Sequence, residues 1–234
     1  MTTIDAARGA VRTSRLVVFA AVLLLAVVYV RALVFTPVEA MQGPAQKIFY
    51  IHVPSAWSAF VAFLVVGACS VLYLILRDLR LDRLAAASAE VGTIFTTGVL
   101  LTGPIWAKPI WGAWWTWDAR LTSTLFLWFI FFGYLVLRDA VREPGQRARF
   151  SAVLGILGAL LVPFIHISVK LFRTLHPQPV VLNPDGPTLP GSMLATLLFS
   201  FCVFTLFYAG LVWQRYAQLT LEHARAAAAA ESES

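Results

Sequence analysis

A chain of 234 residues that is 59% hydrophobic and 13% charged, with a mean hydropathy of +0.78, carries more apolar surface than a soluble domain of its size can bury. Its net charge of +6 would suit nucleic acid if the cations formed one face, but they occur as clusters between long apolar runs. Composition therefore directs the chain to a bilayer and away from the soluble binding classes.

Six apolar runs follow one another, at 16–34, 56–76, 85–106, 121–137, 150–172 and 191–213. Each has the roughly 20 residues needed to cross a hydrocarbon core of about 30 Å. A bilayer offers backbone groups no water, and these runs are too long for barrel strands, so each is expected to be a helix. The expected fold is an all-α integral membrane protein of six transmembrane helices, forming a single domain over 1–234.

The cations set the expected topology. Arg8, Arg12 and Arg15 precede the first run, Arg77, Arg80 and Arg83 separate the second and third, and Arg138, Arg142, Arg147 and Arg149 separate the fourth and fifth. With Arg215 and Arg225 after the last run, 12 of the 18 Lys and Arg fall on one side. The positive-inside rule makes that side cytoplasmic, with both termini there. A basic start and Val38-Glu39-Ala40 raise a cleaved signal peptide, but the apolar run is long and Arg31 interrupts it, so it reads as a retained span. Cys69 and Cys202 lie inside spans with no C-x-x-C and read as packing residues. The Ala-rich tail from Ala224 to Ser234 reads as a frayed end.

Three segments then face outward, and they hold the unusual residues. The first contains QKIFYIHVPSAW with His52, the second WAKPIWGAWWTWDAR, and the third FRTLHPQP with His176. Trp111, Trp114, Trp115 and Trp117 fall within seven residues of the second segment, 107–120. An interfacial aromatic belt explains one or two tryptophans per span end, not four in seven. If the stretch is helical, Trp111, Trp114, Trp115 and Asp118 share a face and form a platform for a large planar ligand.

His52 precedes Pro54 at the start of the second span, and His176 precedes Pro177 after the fifth. Either could be a hydrogen-bonded packing residue. Two neutral imidazoles from separate segments can also hold a haem iron from opposite sides. Arg120 and Arg173 offer guanidinium forks to carboxylates, while Arg31 and Lys170 read as snorkelling span-end residues. Asp118 also reads as the N-cap of the fourth span. Glu90 reads as structural, His166 as a polar residue facing the bundle, and His223 as solvated.

At these residues the sequence resembles a known family, the haem-handling membrane proteins that carry a WWD motif. WGAWWTWDARLTS, from Trp111 to Ser123, is similar to that signature. FYIHVPSAW and RTLHPQP are similar to the two histidine segments of the family's cytochrome c maturation branch, apart from Pro177, where a polar residue is usual. The resemblance covers nearly the whole chain. It implies that haem b is held transiently at the periplasmic face of a bacterial inner membrane and passed to a membrane-anchored haem chaperone for cytochrome c biogenesis. His52 and His176 would be axial ligands to the haem iron. Trp111, Trp114, Trp115, Trp117, Asp118 and Arg120 would form the platform, with Arg173 near a propionate. The implied partners are that chaperone, ABC transporter subunits and a small single-span protein.

Such a chain is a carrier and not an enzyme, since its residues make no bond in a substrate. It has no G-x-x-x-x-G-K-[ST] loop, so ATP dependence would come from a partner. Three other classes compete. A membrane cytochrome moving electrons would place paired histidines within spans, where only His166 is internal. A small-solute transporter would show mid-membrane charges and inverted repeats. A scaffold with an aromatic anchor loop is the plainest alternative.

Overall fold

The computed structural model describes residues 3–178, 180–181 and 186–233. Among them all regular structure is helical: α1 (Thr3–Val30), α2 (Phe49–Leu76), α3 (Leu79–Trp111), α4 (Ala119–Ala140), α5 (Pro144–Leu171) and α6 (Gly191–Glu233). Each lies in a helical stretch long and apolar enough to cross a membrane, which makes this a multi-pass membrane protein. Pro179 and residues 182–185 of the segment after α5 lie outside the described residues.

The helices overrun the apolar runs, and local chemistry explains where they stop. Asp78 caps α3 by accepting from the Arg80 amide at 2.8 Å, and Glu143 caps α5 by accepting from the amides of Gly145 and Gln146, with Pro144 at the first helical position. At the other ends, Arg77 (φ 57°) closes α2 and Gly112 (φ 76°) closes α3 in the left-handed conformation. The expected frayed tail is instead helix up to Glu233, because alanine has the highest helix propensity of any residue.

Two bundle ends result. At one, α1 finishes in a wider π-type turn, Arg31–Phe35, and a 3-10 turn, Pro44–Ile48, leads into α2. Lys47 Nζ ties this connection by donating to the carbonyls of Ala32, Thr36 and Pro37, satisfying backbone oxygens that helix termini leave open. Arg31 Nε donates to Thr196 Oγ1 at 3.1 Å, and Thr36 meets Thr196 at 2.9 Å, which fixes the end of α1 to the start of α6.

At the opposite end, Arg138 of α4 makes a two-pronged pair with Asp82 of α3, at 2.5 and 2.9 Å, where the carboxylate is buried and the guanidinium partly so. Arg215 of α6 pairs with Glu90 at 2.5 Å. Glu90 is thus a helix-tying residue, as its position in the sequence suggested.

Between the two ends, helices approach through small residues, the usual device where lipid removes the hydrophobic drive. α2 packs chiefly on α3 and α5, and α1 on α6. Phe63 of α2 stacks on Phe131 of α4 with ring centroids 3.7 Å apart, and Gly158 of α5 is glycine because a Cβ there would strike that Phe131 ring. Ser88 donates to the Ala62 carbonyl at 2.9 Å and accepts from the Tyr208 hydroxyl at 2.8 Å.

Candidate functional site

The end of the bundle that holds the π-type turn also holds a cavity of about 310 Å³. Its walls are mostly apolar and come from α2, α3, α4, the segment after α5 and the connections before α2 and after α3. His52, Trp111, Trp115, Arg120 and His176 all line it, so residues far apart in the chain converge on one space.

His52 belongs to α2 and not to a loop. The 3-10 turn starts the helical run at Pro44, so α2 is under way by Phe49 and Pro54 falls within it. A rigid helix therefore carries His52, which is buried. Its Nδ1 lies 2.8 Å from Thr102 Oγ1 of α3, and its ring meets the edge of Trp106 at 5.7 Å. Gly103 permits this approach, since a Cβ there would come to 3.3 Å from His52 Cε1. Trp106 is in turn held by Gln42, whose Oε1 accepts from the indole N–H at 3.1 Å.

His176 reaches the cavity from the segment after α5. Its backbone amide donates to Thr174 Oγ1 at 3.0 Å, and its ring Nδ1 lies 2.9 Å from the Pro177 carbonyl, which can only accept. The proton must then sit on Nδ1 and the lone pair on Nε2. Burial against the cavity wall, with the positive charge of Arg120 second, pushes the His176 imidazole down to about 3 from its ordinary value. His176 is thus neutral at any ordinary pH. Among the described residues, Nε2 of neither histidine takes part in a hydrogen bond.

The tryptophan segment departs from the expected helical face. α3 ends at Trp111, Gly112 turns the chain, and residues 112–118 are irregular until α4 begins at Ala119. The connection is thus shorter than 107–120, and the four-residue platform of Trp111, Trp114, Trp115 and Asp118 does not form. Trp111 and Trp115 line the cavity. Trp114 is 58% exposed and lies near Lys108, whose Nζ is 6.0 Å from its ring, while Trp117 is 77% exposed and edge-on to Trp115 at 5.9 Å.

Asp118 caps α4, accepting from the amides of Arg120 at 2.9 Å and Leu121 at 3.0 Å and from Thr116 Oγ1 at 2.8 Å. The cap aims the start of α4, and with it Arg120, at the cavity. Arg120 Nη1 and the Trp115 indole N–H are buried with no hydrogen-bond partner among the described residues. Unpaired buried donors cost free energy unless a ligand accepts from them. Arg173 is exposed and lines no part of the cavity, which separates it from Arg120. His166 does not line it either.

Thr102, Gly103, Trp106 and Gln42 were not singled out from the sequence. A signal existed for two of them: Val99, Gly103, Trp106 and Ile110 recur at helical spacing on α3 and all face the cavity. No comparable pattern marks Thr102 or Gln42.

Two imidazole nitrogens and two buried donors without partners among the described residues, together with apolar walls, can receive a flat, largely apolar ligand that carries a metal and an acidic edge. A family model described as Heme exporter protein C matches residues 5–231 of this chain. The Heme exporter protein C of Bradyrhizobium diazoefficiens is 40% identical over 193 residues, which cover 82% of this chain and 73% of that protein. The protein of the same name from Haemophilus influenzae is 33% identical over 205 residues, covering 88% of this chain and 83% of its own length. A ccmC-like mitochondrial cytochrome c biosynthesis protein of Marchantia polymorpha is 34% identical over 168 residues, covering 72% of this chain and 71% of that protein. This chain belongs to the Heme exporter protein C family.

Proposed function

We propose that this protein holds haem b transiently at the cavity end of its bundle and hands it to a membrane-anchored haem chaperone for cytochrome c biogenesis. The observation that carries the reading is the convergence of His52 and His176, each with Nε2 free of hydrogen bonds among the described residues, on one apolar cavity that also presents the donors of Arg120 and Trp115, unpaired among the same residues. Haem matches that donor set in each part: an iron that takes neutral imidazole nitrogen, a flat apolar ring, and propionates that accept from a guanidinium. The names of the relatives, which include heme export and cytochrome c biosynthesis, support the same cargo.

His52 and His176 ligate the iron, Trp111 and Trp115 wall the ring, and Arg120 holds a propionate. Asp118 acts through the α4 cap. Trp114 and Trp117, exposed beside the cavity, meet membrane lipid or the incoming chaperone. Arg173 is left to those outer contacts. Haem is the cargo, and the chain's own residues bind, orient and release it with no bond made in a substrate, so the protein acts as a carrier and not as an enzyme.

The clustering of cations supports a periplasmic site in a bacterial inner membrane: the cavity lies at the end away from most of the arginines. ABC transporter subunits and a small single-span membrane protein complete the proposed set of partners. The test is to purify the full chain from haem-replete cells and mix it with the haem-free chaperone. Haem absorbance moving from this chain to the chaperone supports hand-over. A chain that keeps its haem, or acquires none, overturns it.

A further inference from the structure

The two rings in the cavity are oriented differently. His176 is tied to the carbonyl of its own neighbour, whereas His52 is held by a side chain of another helix, Thr102 of α3. The Thr102 hydroxyl lies 2.8 Å from His52 Nδ1 and also 2.7 Å from the carbonyl oxygen of Gly98, one turn back along α3. A hydroxyl has one proton to give, and a carbonyl oxygen can only accept. The Thr102 proton is therefore used on Gly98, and the contact with His52 draws its proton from the ring. Thr93, Thr96 and Thr97 of the same helix each donate back to a carbonyl one turn away at 2.8 Å, so this is the habitual arrangement of threonine along α3.

We propose that Thr102 is a positioning residue that fixes His52 as the tautomer with hydrogen on Nδ1, leaving the Nε2 lone pair as its donor to a metal in the cavity. The proposal rests on the haem reading for the identity of that metal. The contrary arrangement, in which Thr102 donates to His52, gives up the Gly98 bond and leaves a hydrogen on Nε2, where it blocks ligation. Among the described residues the ring has no other hydrogen-bond partner: Trp106 meets it edge-on at 5.7 Å, and Gly103 has no side chain. A hydrogen bond from the far nitrogen also raises the basicity of a ligating imidazole, and removing such an outer partner weakens metal binding about 10- to 100-fold.

The test compares the full-length protein in detergent with Thr102→Val, which keeps the shape and removes the hydroxyl, and Thr102→Ser, which keeps the hydroxyl. In haem-free protein carrying 15N-labelled histidine, the wild-type His52 is expected to show a protonated Nδ1 and a lone pair on Nε2. T102V is expected to shift His52 toward the Nε2-protonated form, and T102S to restore the wild-type signal. After loading, T102V is expected to bind haem at least about tenfold more weakly and to be reduced at a more positive potential, with T102S close to wild type.

A wild-type His52 protonated on Nε2 overturns the proposal on its own, even if T102V fails to fold. So does a T102V protein whose tautomer and haem affinity match wild type. The first readout needs no haem, so a chain that binds no haem yet shows the Nδ1-protonated ring contradicts the haem reading and leaves the role of Thr102 intact.

Discussion

The ring of Trp111, the last residue of α3, meets the imidazole of His176 edge-on with centroids 6.4 Å apart and an interplanar angle of 61°. This contact joins the tryptophan segment to the segment after α5, which are far apart in sequence. An edge-to-face aromatic pair contributes about 0.5–1.5 kcal/mol beyond its burial. Trp111→Ala is therefore expected to weaken haem binding by roughly two- to tenfold through misplacement of His176. Haem titration of the purified variant checks this, and an unchanged affinity would show that His176 is placed without Trp111.

Arg120 and Arg173 looked equivalent in sequence, yet only Arg120 lines the cavity. A hydrogen bond to a charged group is worth about 1.5–3 kcal/mol, which corresponds to roughly 10- to 100-fold in affinity. Arg120→Gln is expected to lose about that much haem affinity, and Arg173→Gln to leave it unchanged. The same titration separates them. Equal losses in both variants would mean that the propionates reach beyond the cavity to the exposed guanidinium.

Much of the fold was legible because a bilayer leaves an apolar run little choice but helix. The six runs and the capping role of Asp118 were recoverable from composition and spacing. What spacing hid was the end of α3. Trp111, Trp114, Trp115 and Asp118 have helical spacing, but Gly112 in the left-handed conformation breaks the helix after the first of them. Two tryptophans then turn inward and two outward, a division that no periodicity contains. Pro54 hid the start of α2 in the same way, since it read as a first residue and proves to be internal. Thr102 was hidden for a different reason: its value lies in one contact with another helix, and sequence does not give contacts.

His176 supplies a prediction on pH. Its pKa is about 3 in the folded protein, below the ordinary histidine value of about 6.5 expected in the unfolded chain. Below pH 6.5 the unfolded chain takes up the proton and the folded chain does not. The contribution of His176 to stability is therefore fully present above about 6.5 and lost as pH falls from there toward 3. Histidine NMR of the haem-free protein checks this directly. The His176 ring is expected to stay neutral at pH 5, and an imidazolium signal there would contradict its burial.

In the Asp82–Arg138 pair at the opposite end of the bundle, Asp82 is buried and Arg138 partly so. Removing one partner strands a buried charge, which costs about 3–5 kcal/mol. Asp82→Asn is expected to lower the thermal midpoint in detergent markedly, and D82N combined with Arg138→Met to recover most of the loss. If the single variant melts like wild type, the pair adds little to stability.

The central claim is that His52 and His176 together hold the haem iron. Absorption spectroscopy of the purified full-length protein, compared with the variant in which both His52 and His176 are alanine, tests it most directly. Low-spin bis-histidine bands in the wild type and their loss in the double variant are the predicted result. The same bands at the same intensity in both proteins would contradict it.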